Sequence, residues 1–139
     1  MSTRCTIHFH WGDETAPTAI IYRHSDGYPD GEHGVPASLE RFFEAVEEQT
    51  HDTRFSDAGY LAAKYVVWQA DQFAYHYNGN GERTKAAPLD FLSLGVLMED
   101  PDDIEFRYHV WCKGFPGTVG ADRRPRVTYD AVLHDWCKA

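Results

Sequence analysis

The sequence predicts an α+β domain: an antiparallel sheet of about five strands, in the order β-β-α-α-β-β-β, with two helices on one face. Three observations lead there. Residues 3–11 alternate between apolar and polar, the middle of the chain spaces its apolar residues at helical intervals, and alternation returns at 104–112, although Trp111 falls in the polar set. Period two marks a strand with one buried face, and period 3.6 a helix. Strands joined by short turns fold into hairpins, and helices then cover one face of the sheet. With 139 residues and no linker, repeat or low-complexity stretch, residues 1–139 read as one domain.

In the first segment Cys5, Ile7, Phe9 and Trp11 form the apolar set, with Arg4, Thr6, His8 and His10 between them. A loop at 12–17 leads to a second strand at 18–24, so the first two strands predict a hairpin. Leu39, Phe42, Phe43 and Val46 follow at offsets 0, 3, 4 and 7, which is one helix face, while Glu40, Glu44, Glu47 and Glu48 fall outside it. This helix is expected over 37–49. The next is expected over 56–77, capped by Ser56 or Asp57 and stopped by Asn78-Gly79-Asn80-Gly81. Tyr60, Leu61, Tyr65, Trp68, Phe73 and Tyr77 surround most of it, leaving Lys64 and Asp71 as a polar stripe. More apolar circumference than one layer can cover predicts a homodimer or larger even assembly through this helix. The apolar run at 91–98 reads as a central strand hairpinned to the strand at 104–112, where Ile104, Phe106, Tyr108, Val110 and Cys112 alternate with Glu105, Arg107, His109 and Trp111. A last strand is expected over 126–136. The sheet face away from the helices then carries Arg4, Thr6, His8, His10, Glu105, Arg107 and His109.

Charge narrows the function classes. A formal net charge of −9 opposes general nucleic-acid binding and disfavours anionic membranes. No apolar run reaches the length of a membrane helix, and three cysteines without a Cys-x-x-Cys point to reduced thiols, so a soluble cytoplasmic protein is expected. Cys5 and Cys112 occupy apolar strand positions and read as core. No nucleophile elbow, Walker loop, dinucleotide fingerprint or His-Glu-x-x-His occurs, and no cofactor is expected.

Two loops stand out against the acidic background. The segment 22–31 collects Arg23, His24, Asp26, Tyr28 and two Asp-Gly turns, in which glycine can take positive φ and turn several N–H groups into one concavity. The segment 113–126 holds Lys113, Arg123, Arg124 and Arg126 against Asp122 alone, with Phe115 nearby. A local cationic patch in a repulsive global field suits a small, compact anion. The leading expectation is therefore non-enzymatic binding or sequestration of a small phosphorylated, nucleotide-like ligand. Arg23, His24, Asp26, Arg123, Arg124 and Arg126 would line its site, with Tyr28 and Phe115 stacking on a base.

Two alternatives belong to other classes. An acidic inhibitor could imitate nucleic acid through Glu40, Glu44, Glu47, Glu48 and the acidic turn at 99–105. That turn lacks the spacing of a calcium loop. Third, His8-x-His10 puts two imidazoles on one strand face, about 7 Å apart, and His109 can share that face. Three histidines with an open position form the pattern of a catalytic zinc site, so these three are the candidates for a metal-dependent hydrolase. The expected state of the face is polar and metal-free.

The segments 22–29, 52–55 and 60–68 resemble a family of small bacterial and phage proteins. The resemblance covers most of the chain and implies no catalytic residue. Small acidic phage proteins include sequesterers of nucleotide immune signals, such as the cyclic ADP-ribose signals of Thoeris defence, and mimics of nucleic acid. Sequestration of such a signal would be an anti-defence role; no motif of this chain matches either class.

Overall fold

The computed structural model of the chain describes residues 3–72, 75–77, 83–85, 93–112 and 123–132. β1 (Cys5–Trp11) lies at the centre of the main sheet. β2 (Ala19–Arg23) folds back on it antiparallel, with Ile21 opposite Ile7. Two helices follow, α1 (Val35–Gln49) and α2 (Ala58–Gln72). β3 (Tyr75–Tyr77) and β4 (Arg83–Lys85) pair as a separate two-stranded sheet. β5 (Leu94–Leu97), β6 (Phe106–Cys112) and β7 (Arg126–Ala131) complete a five-stranded main sheet in the order β5-β2-β1-β6-β7. The α+β class and the five-stranded sheet hold.

The sheet is mixed rather than wholly antiparallel, because β1 and β6 run parallel, with His8 opposite His109 and His10 opposite Trp111. Alternation reports which face a residue occupies; it is the same for either strand direction. β5 lies at the edge and pairs with β2, not at the centre beside β6. Its Val96 and the following Met98 are exposed. A short apolar run does not by itself distinguish a central strand from an edge. α2 starts as expected, with Tyr60 N–H donating to Asp57 Oδ1 at 3.2 Å, but it ends at Gln72. Tyr75 and Tyr77 instead pair with Lys85 and Arg83 in the small sheet, in keeping with the strand preference of aromatic residues.

The core lies between the helices and one sheet face. Leu39, Phe42, Phe43 and Val46 from α1, and Leu61, Ala62 and Tyr65 from α2, pack on Cys5, Ile7, Phe9, Ile21, Tyr108, Val110 and Cys112. Tyr60 and Val67 of α2 stay exposed; Phe73 and the Tyr77 side chain lie outside what is described. Among the described residues no helix is long and apolar enough to cross a membrane. The sheet face away from the helices is polar, as expected, and its centre is buried. Thr6, His8 and His10 are all buried there, because β1 has a neighbouring strand on each side and Asp100, Arg107 and Trp111 close over it.

Candidate metal centre

Two strand rules assemble this face. Residues two apart on β1 share a side, which places His8 beside His10. Parallel pairing with β6 then sets His109 next to His8 and Trp111 next to His10. Ring centroids are 5.4 Å apart for His8 and His109, 5.0 Å for His10 and His109, and 6.1 Å for His8 and His10. One ring nitrogen from each of the three lies within 4.8 Å of the others. Trp111 stacks on His10 at 4.0 Å, closing one side, and its indole N–H donates to Thr128 Oγ1 at 2.8 Å.

Hydrogen bonds fix how the rings turn. His10 Nδ1 lies 2.8 Å from the Glu14 carbonyl oxygen. A carbonyl only accepts, so Nδ1 carries the proton and Nε2 of the neutral ring presents a lone pair. That lone pair faces His109 Nδ1 at 2.8 Å, so the proton between the two rings is carried by His109 Nδ1. On its other side His109 Nε2 meets Asp130 Oδ1 at 3.0 Å. His8 Nε2 lies 3.1 Å from Thr6 Oγ1 and 3.4 Å from Asp100 Oδ1. Burial pushes His8 down from its ordinary 6.5 to about 4, against the opposing pull of Asp100. Burial also lowers His10, with the Glu14 carbonyl opposing. Both rings are therefore neutral at neutral pH, which is the form that binds metal.

Among the described residues, those of the expected anion site do not gather. Arg23 is turned inward on the helix side, donating to Ser25 O at 3.0 Å and to Tyr65 Oη at 3.4 Å. His24 is exposed and its Nδ1 lies 2.7 Å from Tyr22 Oη. Of the two Asp-Gly turns, the second has its glycine at positive φ, Gly31 at 83°, while in the first it is Asp26, at 55°, and not Gly27. Gly27 serves close packing, since a Cβ there would sit 2.7 Å from Thr3 O. Tyr28 is half-buried and its carbonyl accepts from Val35 N–H at 3.0 Å. Arg124 is taken up by α1, with bonds to Glu47 at 3.1 Å and Glu40 at 3.0 Å. Arg126 lies over the Trp111 ring on the opposite sheet face from Arg23, 5.6 Å from its centroid. Arg123 is exposed, and Phe115 lies outside the described residues. β2 and β7 stand three strand places apart, about 14 Å at ordinary spacing. Arg23 and Arg126 are thus separated both across the sheet and through it.

The residues that shape the histidine cluster were not all expected. Asp100 belongs to the acidic turn at 99–105, and Asp130 to the last strand. Only the register of β6 with β1 and β7 brings Arg107, His109 and Asp130 to the buried histidines.

No protein-family model, curated protein or solved structure matches this chain. The likeness of segments 22–29, 52–55 and 60–68 thus assigns no family.

Proposed function

We propose that the chain is a metal-dependent hydrolase whose centre is one divalent transition ion of the zinc type, held by His8, His10 and His109. The observation that supports this reading is the convergence of three imidazoles, two of which have their outer nitrogen already engaged. His10 Nδ1–H is held by the Glu14 carbonyl, and His109 Nε2 faces the Asp130 carboxylate. Ligating histidines typically donate their second N–H to a carboxylate or a carbonyl in this way, which sets the tautomer and aims the other nitrogen. The ion would replace the proton now shared by His10 and His109.

Tetrahedral zinc places its nitrogen ligands roughly 3.3 Å apart, given Zn–N bonds of about 2.0–2.1 Å. The His10–His109 pair, at 2.8 Å, must open by about half an ångström, and the wider separations within the cluster must close. Three protein ligands leave a fourth position for water, the arrangement of catalytic rather than structural zinc. A zinc ion held by these three histidines would supply the hydroxide nucleophile of a hydrolase near neutral pH. The side chains of His109, Asp100 and Asp130 are 20%, 39% and 51% exposed, so solvent reaches the cluster from their side.

The nucleotide-like ligand expected from the loops draws less support, since Arg23 and Arg126 lie on opposite faces and Arg23 and Arg124 are already bonded within the chain. The test loads chelator-treated protein with zinc and assays simple carboxylic and phosphoric esters. Zinc-dependent turnover that His10→Ala abolishes supports the reading. Zinc binding without turnover removes the hydrolase, and absence of binding removes the metal.

A further inference from the structure

One guanidinium lies behind two of the three histidines. Arg107 sits on β6 two residues before His109, on the same sheet face, and opposite Asp130 in the register with β7. Its Nη1 is 3.0 Å from Asp130 Oδ2 and its Nη2 is 2.7 Å from Asp100 Oδ2. Each carboxylate turns its other oxygen to an imidazole: Asp130 Oδ1 lies 3.0 Å from His109 Nε2, and Asp100 Oδ1 lies 3.4 Å from His8 Nε2. The chain of contacts runs His8, Asp100, Arg107, Asp130, His109.

We infer that Arg107 is the positioning residue of this centre: it holds both carboxylates at once and through them sets the orientation of the His8 and His109 rings. Its meaning for metal binding rests on the reading of the cluster as a metal site. The planar fork suits this task because its two terminal nitrogens point at two acceptors along fixed directions, which a lysine ammonium cannot do. The Arg107 side chain is only 23% exposed, and its Nε is buried without a hydrogen-bond partner. A surface ion pair carries no such cost. The two carboxylates come from separate elements, the turn after β5 and strand β7, so Arg107 also ties both to β6.

Charge and position predict opposite signs here, which makes the inference testable. A cation beside a divalent ion repels it, so an Arg107 that acts only as charge would lower metal affinity, and Arg107→Gln would tighten binding. An Arg107 that positions the rings does the reverse. Zinc titration against a competing chelator should show Arg107→Gln and Arg107→Lys both weakened about 10–100-fold, with far-UV circular dichroism unchanged. A second readout needs no metal. Nitrogen-edited NMR of the zinc-free protein should show the His109 Nε2–H slow to exchange in wild type and lost in both variants. Unchanged or tighter zinc binding by Arg107→Gln, or an unaltered His109 signal, overturns the inference. If wild type binds no zinc, the metal reading fails, and the NMR comparison alone upholds or rejects the positioning role. Should Arg107→Gln not fold, Arg107→Lys, which keeps the charge and loses the fork, carries both readouts.

Discussion

Acidification should destabilise the metal-free protein well before its carboxylates titrate. His8 is 3% exposed, and burial lowers its pKa from 6.5 to about 4. In the unfolded chain it takes up a proton as pH falls through 6.5; in the folded chain it does so only near 4. Between those values the unfolded state binds more protons, so stability falls as pH falls. The full shift is worth about 3 kcal/mol. Between pH 7.5 and pH 5, where the carboxylates remain largely ionised, the loss from His8 comes to about 2 kcal/mol. His10, lowered by the same burial, adds in the same direction. One effect opposes both: at a formal net charge of −9, adding protons relieves self-repulsion. The comparison with His8→Gln separates these, because that variant keeps the global charge and loses the site. Urea unfolding in chelator across this range should show wild-type stability dropping and the His8→Gln slope clearly shallower. Wild-type stability that stays flat or rises on acidification, or an equal slope in the variant, refutes the reasoning.

Three further outcomes follow from other parts of the structure. Gly27→Ala should cost about 1–3 kcal/mol, since its Cβ would lie 2.7 Å from a backbone oxygen and 2.9 Å from Cys5 Cβ; urea unfolding measures it, and a neutral result contradicts the packing described. Burial pushes the Cys5 and Cys112 thiols up to about 12, so neither should react with a disulfide reagent at pH 8 until the protein unfolds; prompt labelling of either, located by mass spectrometry, contradicts that. We propose, in addition, that the exposed Tyr60 and Val67 of α2 contribute to a homodimer interface. Light scattering should then give twice the 15.9 kDa of one chain, and Val67→Glu should return it to one; a single-chain mass unchanged on concentration contradicts the dimer.

The strands with clean alternation, β1 and β6, and the one-sided helix α1 were legible in the sequence, because each shows one unmixed period. So was the start of α2, from Asp57. The parallel pairing of β1 with β6 was not, since a side chain's face carries no information about its neighbour's direction. The edge position of β5 was hidden for a related reason: apolar content alone does not reveal whether a strand has one neighbour or two. At the candidate site, His8 and His10 were legible as a pair because a strand puts every second residue on one side. Adding His109 required the register of a strand 99 residues from His10. Asp100 and Asp130 were not legible as part of the site, because nothing local marks a carboxylate as another residue's partner. The same blindness operated at Arg124, whose charge suggested an anion site while its bonds go to Glu40 and Glu47 on α1.

The most direct test of the metal centre is calorimetric titration of chelator-treated protein with zinc, repeated with His10→Ala. Wild type should bind one ion per chain, and free zinc a thousandfold above the dissociation constant should stabilise the fold by about 4 kcal/mol. His10→Ala should lose both the binding and the stabilisation. No zinc uptake by wild type, or equal uptake by the variant, would contradict a centre built on His8, His10 and His109.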